Sequence, residues 1–382
     1  MRNLRLYETE AAFQAYEVSL SGDGNTTQTI VPGVSMSKNP RKRFFNPHDK
    51  TVHIHTLTIN YKDMSGNTVA QSETMRFKYI SGITQEIVLT PKDIFACTPT
   101  EASKKVMIPQ TNSVDFTYDK DFEKLPLTIN VISAGVIYLS SLINRAEPHP
   151  TIQYSKNFEN WVTVTSASSI QAFQVYSGDV IQLRGDNVRF ATGTNTNKYN
   201  NFSASTSARY VVEGNIMSLL SSSDFTEVTK IPVDYAFARF FSDCTGLISA
   251  TNLVLPAETL QIYCYAYMFY GCSRLDGAPQ LPAVTLTNGC YYAMFQGCTS
   301  LTAGPELPAP ILVDSCYYRM FDGCTKLNSI KCLATNNSAT NCTAWWLNNV
   351  ASSGTFYQYS NIWTGNSVSG IPPGWTRVNA TL

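Results

Sequence analysis

From Thr51 onward the hydrophobic and polar positions alternate with a period of two. Val52, Ile54, Leu57, Ile59 and Tyr61 are apolar between polar partners, with a slip of phase near Thr56. The turn formers Asp63-Met-Ser-Gly-Asn67 then separate this run from a second one, Thr68 to Tyr79. Alternation of this kind sets one face of a strand on a core and the other in water, and turn formers between two such runs mark a hairpin. With a further strand expected from Ile83 to Leu89, the pattern predicts a small β-sandwich over residues 49–124. A second all-β stretch is expected over 125–212. Its strands are Leu127 to Ile132, Thr151 to Ser155, Trp161 to Val164, two that pivot on Ser177-Gly-Asp179, and a closing Tyr210-Val-Val. The polar tract Ala191 to Ser207 reads as a long loop with Tyr199 and Phe202 exposed.

From residue 213 the chain begins to repeat. Tyr263-Cys-Tyr-Ala-Tyr-Met-Phe-Tyr-Gly-Cys-Ser-Arg-Leu275 is followed 26 residues later by Gly289-Cys-Tyr-Tyr-Ala-Met-Phe-Gln-Gly-Cys-Thr-Ser-Leu301, and then by Ser315-Cys-Tyr-Tyr-Arg-Met-Phe-Asp-Gly-Cys-Thr-Lys-Leu327. A fixed period of this length predicts a solenoid, because each unit buries its apolar side only against the next copy. Asn215-Ile-Met-Ser-Leu-Leu is the expected first cap, and Tyr235 to Leu247 an imperfect first copy. Cys244 to Cys272 spans 28 residues, two more than the period, so a bulge is expected at a loop near Ser249 to Asn252. The segments ending at Leu255-Pro256, Leu281-Pro282 and Leu307-Pro308 are the expected strands, with Pro marking where pairing stops. The Cys-Tyr-x-x-Met-Phe segments carry apolar residues at near-helical spacing and are expected to form a short helical side. The last copy decays at Asn341-Cys-Thr-Ala-Trp-Trp-Leu347, as a final coil facing water must. The predicted fold class is mainly β: an N-terminal segment (1–48), two small Ig-like β-sandwiches (49–124 and 125–212), and a solenoid with a C-terminal cap (213–382).

Composition narrows the function. Of 382 residues 15% are charged, and the formal net charge is zero, so no basic face invites nucleic acid. No apolar run approaches the ~18 residues of a membrane span. Early arginines in Met1-Arg-Asn-Leu-Arg-Leu-Tyr-Glu-Thr-Glu10 are not followed by the apolar core of a signal peptide, so synthesis without secretion is expected. Ten cysteines suggest chemistry until their spacing is considered. Cys264, Cys290, Cys316 and Cys342 recur every 26 residues, as do Cys272, Cys298 and Cys324, so equivalent thiols should stack as buried, reduced ladders; stacked disulfides are the weaker alternative. Zinc sites use closer ligands than this C-x7-C spacing. His53 and His55, sharing one face of a strand, are expected to be surface residues. No metal and no cofactor are expected.

No catalytic constellation emerges either. There is no nucleophile elbow, phosphate loop or His-Glu-x-x-His, and Asp276, Glu306, Asp314 and Asp322 are too scattered to nominate a glycosidase pair. Binding fits better. Tyrosines recur at Tyr265, Tyr267, Tyr291, Tyr292, Tyr317 and Tyr318, either filling the interior, as Met268, Met294, Met320, Phe269, Phe295 and Phe321 should, or forming an outward row that suits sugars. Residues that vary between copies are better ligand candidates, because the scaffold does not dictate them. The candidate set is Tyr265, Arg274, Tyr292, Gln296, Tyr318, Arg319 and Asp322.

The element Met-Phe-x-Gly-Cys-Thr-x-Leu resembles the leucine-rich repeats of surface proteins from Bacteroides-type gut bacteria, the BspA-like group. Val180-Ile-Gln-Leu-Arg-Gly-Asp-Asn187, Asn215-Ile-Met-Ser-Leu-Leu and Ile371-Pro-Pro-Gly-Trp375 look like parts of the same architecture, over roughly residues 126–382. Residues 1–48 differ: Met1 to Tyr16, Val31-Pro-Gly-Val-Ser35 and Asn46-Pro resemble the start of structural proteins of crAss-like phages. Glu8 to Tyr16 would form a short helix capped by Thr9, and Lys38, Arg41, Lys42 and Arg43 form a basic patch, read as a solvated loop or a dock for an acidic surface. Together the resemblances imply a non-enzymatic virion protein, a head fibre or capsid decoration. Leu4, Leu6, Tyr7, Phe13 and Tyr16 would attach it to capsid or other virion proteins, and the solenoid would contact host-surface polysaccharide. A tail-associated receptor-binding protein and a bacterial adhesin without its leader are the alternatives. Such fibres imply a homo-oligomer, trimer or dimer, although no heptad run supports a coiled coil.

Overall fold

The alternation that begins at Val52 builds two facing sheets. The computed structural model describes residues 52–80, 82, 84–139, 151–164, 171–188, 202–365 and 368–380, in two compact units that divide between Lys120 and Asp121. The attachment residues, the helix at Glu8 to Tyr16, the basic patch and Tyr199 lie outside the described residues. In the first unit β1 (Val52–Asp63), β2 (Thr68–Ile80), β3 (Gln85–Leu89), β4 (Cys97–Pro99), β5 (Lys104–Ile108) and β6 (Ser113–Lys120) form a four-stranded sheet in the order β2-β1-β6-β4 and a two-stranded sheet β3-β5. One core, with Leu57, Ile59, Phe77, Ile87, Ile108 and Phe116, draws on both sheets. The expected slip at Thr56 does not occur. Leu57, Ile59 and Tyr61 are buried and His55 continues their face, while Ile54 is 64% exposed on the other. Sequence alternation misled here because two histidines stand in phase with the buried face at its outer end, His53 exposed and His55 half-buried, both beside the ring of Tyr79.

The turn after β1 is held by one carboxylate. Asp63 accepts backbone N–H bonds from Ser65 and Asn67 at 2.9 and 2.8 Å, and pairs with Lys120 Nζ at 2.6 Å; both side chains are 7% exposed. Burial pushes the Asp63 carboxyl up, but the bonds from Lys120 and Asn67 outweigh it and hold it below the usual carboxylate range.

The second unit begins with β7 (Leu127–Ser133), β8 (Gly135–Leu139), β9 (Ile152–Lys156), β10 (Val162–Val164), β11 (Gln171–Val175), β12 (Val180–Arg184), β13 (Phe202–Ala204), β14 (Arg209–Asn215) and β15 (Leu247–Val254). They form a six-stranded sheet, β10-β9-β12-β7-β14-β15, and a three-stranded sheet, β11-β8-β13. β14 runs across the expected boundary at 212–213 and pairs with β15 of the first copy, so one sheet and one apolar core run from the β stretch into the repeats. The two surplus residues are taken up inside β15, where the register against β14 shifts twice, rather than in a loop.

Phe202, expected on an exposed loop, is 2% exposed. It occupies the place that a preceding copy would fill. Its carbonyl accepts the Cys244 thiol at 3.1 Å, just as Phe241, Phe269 and Phe295 accept Cys272, Cys298 and Cys324 at 3.0–3.1 Å, and its ring lies 5.9 Å from that of Phe241.

Successive copies stack in register. The expected helical side is instead a ladder of turns. Alternate residues donate to a carbonyl of the next copy (Tyr265 to Cys290, Tyr267 to Tyr292, Phe269 to Met294), and those between donate three residues back (Ala266 to Tyr263, Met268 to Tyr265). Every fourth residue is left-handed: Tyr263, Tyr267 and Gly271, then Gly289, Ala293 and Gly297, then Ser315, Arg319 and Gly323. Buried positions Tyr265, Met268, Phe269 and Cys272 keep the i, i+3, i+4, i+7 spacing that also marks a helix, which is why the pattern misread the geometry. Left-handed backbone costs a non-glycine residue roughly 1–2 kcal/mol, offset here by bonds to both neighbouring copies. The Leu-Pro segments of the middle copies make isolated bridges rather than strands, because Pro279 and Pro305 interrupt them. Strands form where Pro is absent, in β15 and in β16 (Ser329–Cys332). β16 continues with β17 (Gly354–Gln358) and β18 (Trp375–Asn379) as a parallel sheet over the buried Trp346 and Trp363. Among the described residues the helical elements are two short 3-10 turns, Ile216–Leu219 and Phe225–Glu227.

Candidate ligand-binding surface

The turn ladder sorts aromatic residues between inside and outside. Two ring columns run through the core: Phe237, Tyr265, Tyr291 and Tyr317 at 5.9–6.1 Å spacing, and Phe241, Phe269, Phe295 and Phe321 at 5.4–5.6 Å. Tyr265 is therefore not a surface ligand residue. It is 1% exposed, and its hydroxyl has no hydrogen-bond partner. Its true equivalents are Tyr291 and Tyr317, whereas the equivalent of Tyr292 and Tyr318 is the small Ala266.

The outward row is different from the expected one. Tyr235 stacks on Tyr263 at 5.3 Å and 5°, Tyr263 meets Tyr292 at 5.7 Å, and Tyr292 stacks on Tyr318 at 4.6 Å and 19°. Tyr267 joins at 5.3 Å from Tyr292, and Tyr270 lies edge-on to Tyr267. The Arg239 guanidinium covers Tyr267 at 4.1 Å, and that of Arg319 lies 5.8 Å from Tyr318 and 5.9 Å from Trp345. At ~4.8 Å per copy, the step from the Tyr235 copy to the Trp345 copy makes this strip about 19 Å long. Tyr267 stands in the expected outward row but not in the candidate set, and Tyr235, Tyr263, Tyr270, Arg239 and Trp345 were not among the candidates. The missing signal was the four-residue recurrence of left-handed positions, four of which (Tyr235, Tyr263, Tyr267, Trp345) carry a strip aromatic.

The remaining candidates divide. Asp322, 7% exposed, accepts Gln296 Nε2 at 3.1 Å, Asn348 Nδ2 at 2.8 Å and Arg319 Nη1 at 3.3 Å, so Gln296 and Asp322 join a polar ladder between copies. Arg274 is exposed, and Tyr292, Tyr318 and Arg319 are half-buried members of the strip. Burial raises the Tyr235, Tyr267 and Tyr292 phenols above their usual range, so these hydroxyls stay protonated as donors.

No family model, curated protein or solved structure matches this chain. Its chemistry rests on its own side chains.

All ten cysteines are free, and nine are buried. Burial pushes the Cys264 and Cys332 thiols up to about 12, far from a reactive thiolate. Among the described residues no group of three or more His, Cys, Asp or Glu is placed to hold a metal ion, and no helix is long and apolar enough to cross a membrane. His55 Nε2 lies 2.6 Å from the carbonyl of Thr111.

Ring geometry defines what the strip offers. Rings stacked at 4.6–5.3 Å leave no gap for a sugar between them, so within the column the tyrosines present edges and hydroxyls, and Arg239 covers a face of Tyr267.

Proposed function

We propose that this chain is a non-enzymatic structural protein of a phage virion, a head fibre or capsid decoration, whose stacked copies bind polysaccharide on the host surface. On this reading residues 213–382 form a leucine-rich-repeat solenoid of the BspA-like kind, behind two Ig-like sandwiches. Residues 1–48 hold the chain to capsid or other virion proteins, and display at a virion surface places the repeats outward.

The observation that supports binding is the aromatic strip. Six tyrosines, one tryptophan and two arginines run along one column of the stack without filling its interior, which the Tyr265 and Phe269 columns already pack. Tyrosine edges with hydroxyl tips suit the mixed apolar and hydroxyl surface of a sugar, and an aromatic patch kept at the surface marks an interaction site.

Two measurements test the two halves. Binding of the full chain to host capsular polysaccharide, lost when Tyr263, Tyr292 and Tyr318 are all replaced by Ala, supports the binding half; no binding above background overturns it. Mass spectrometry of purified virions tests the other half, and absence of the chain from the particles overturns it.

A further inference from the structure

The tyrosine faces that meet within the column are occupied by each other, so a sugar that stacks needs a ring at the end of the strip. Trp345 supplies it. It is 39% exposed, held outward by a left-handed backbone at φ 61, while the neighbouring Trp346 is fully buried and does the packing. Beside it stands Arg319, whose side chain is 41% exposed and whose guanidinium lies between the rings of Tyr318 and Trp345. The partner of Arg319, Asp322, is 7% exposed beneath it and is independently satisfied by Gln296 and Asn348. A guanidinium carries five N–H donors, and the Asp322 bond, long at 3.3 Å, engages one nitrogen of its fork. The guanidinium, bonded also to the Tyr318 side chain, thus reaches solvent with its counter-charge buried behind it, beside an indole that is itself 39% exposed.

We propose that Trp345 and Arg319 form the end subsite of the strip, taking a pyranose that carries an anionic group: the ring stacks on the indole, and its carboxylate or sulfate meets the guanidinium fork. This rests on the polysaccharide reading above and narrows it to acidic glycans. The tyrosine hydroxyls along the column then serve the neighbouring sugar units by hydrogen bonds.

Isothermal titration of the full chain with three tetrasaccharides tests it: tetragalacturonate, a sulfated galactose tetramer without uronate, and the neutral cellotetraose. At least one acidic probe should bind tenfold or more tighter than cellotetraose, and which one does so identifies the anionic group. Arg319→Gln should abolish that preference, and Arg319→Lys should restore part of it. Trp345→Ala should weaken all binding probes tenfold or more, with Trp345→Phe intermediate; unchanged thermal melts show that the variants fold. Equal binding of acidic and neutral probes, a preference that survives Arg319→Gln, or affinity indifferent to Trp345→Ala overturns the subsite and leaves the polysaccharide reading standing. So does failure of all three probes while host polysaccharide binds. Failure of all three together with host polysaccharide overturns both.

Discussion

A β-carbon on Gly289 would lie 2.3 Å from Cε1 of Tyr263, because that ring lies across the backbone of the next copy on its way to Tyr292. Gly289 is also left-handed, at φ 62, so one small residue both makes the turn and clears the floor under the strip.

Gly289→Ala should therefore cost more than backbone strain. At Gly297, φ 79, the nearest atoms to a new β-carbon are 3.6 Å away, so Gly297→Ala should cost only the left-handed penalty, about 1 kcal/mol. Gly289→Ala adds a collision with an aromatic ring and should cost about 2–3 kcal/mol, with displacement of Tyr263 seen as lost polysaccharide binding. Paired thermal melts decide it; equal costs would mean that the ring moves aside freely.

Tyr265→Phe should stabilise the second unit. The hydroxyl is buried without a partner, and the same column already holds Phe237 one copy earlier. Removing an unsatisfied buried group should gain about 1 kcal/mol, read as a higher melting temperature. A lower one would show that the hydroxyl is satisfied.

Breaking the buried pair in the first unit should be costly. Lys120→Met leaves the Asp63 carboxylate buried with only its turn bonds and should destabilise that unit by about 3–5 kcal/mol. Because the Asp63 carboxyl is held below its usual range, its contribution is complete above about pH 4 and is lost as pH falls through the lowered value. Acid unfolding followed by circular dichroism should show that loss in the native chain and not in Asp63→Asn.

Alkaline pH should open the repeats. Thiols such as Cys264 and Cys332, raised by burial to about 12, bind their protons more tightly in the fold than in the unfolded chain. Their contribution is complete below about pH 9 and falls by about 1.4 kcal/mol per pH unit and thiol as pH rises towards 12. A shallower alkaline decline in Cys264→Ala, at matched neutral stability, is the expected result; an identical decline would remove the thiol from the account. Below pH 9 the nine buried thiols should resist alkylation.

By itself the sequence determined the β1–β2 hairpin with its turn at Asp63 to Asn67, the strands β3, β7, β9, β12 and β14, and the equivalence of residues across copies. Each depends on local alternation, turn chemistry or a fixed period, which a single chain displays directly. The period also implied that cysteines and rings of successive copies would meet. It left open which way each ring points. The spacing of Tyr265, Met268, Phe269 and Cys272 fits a helix and a turn ladder equally, and only the inter-copy bonds and the left-handed residue at every fourth position select the ladder. That choice put Tyr265 inside, brought Tyr235, Tyr263, Tyr292 and Tyr318 together on the surface, and set Trp345 beside Arg319. It is tertiary in origin, because the bonds that offset the left-handed strain come from neighbouring copies. Phe202 shows the same physics: its polar neighbours read as a loop, and only the open end of the first copy gave its ring a place to be buried.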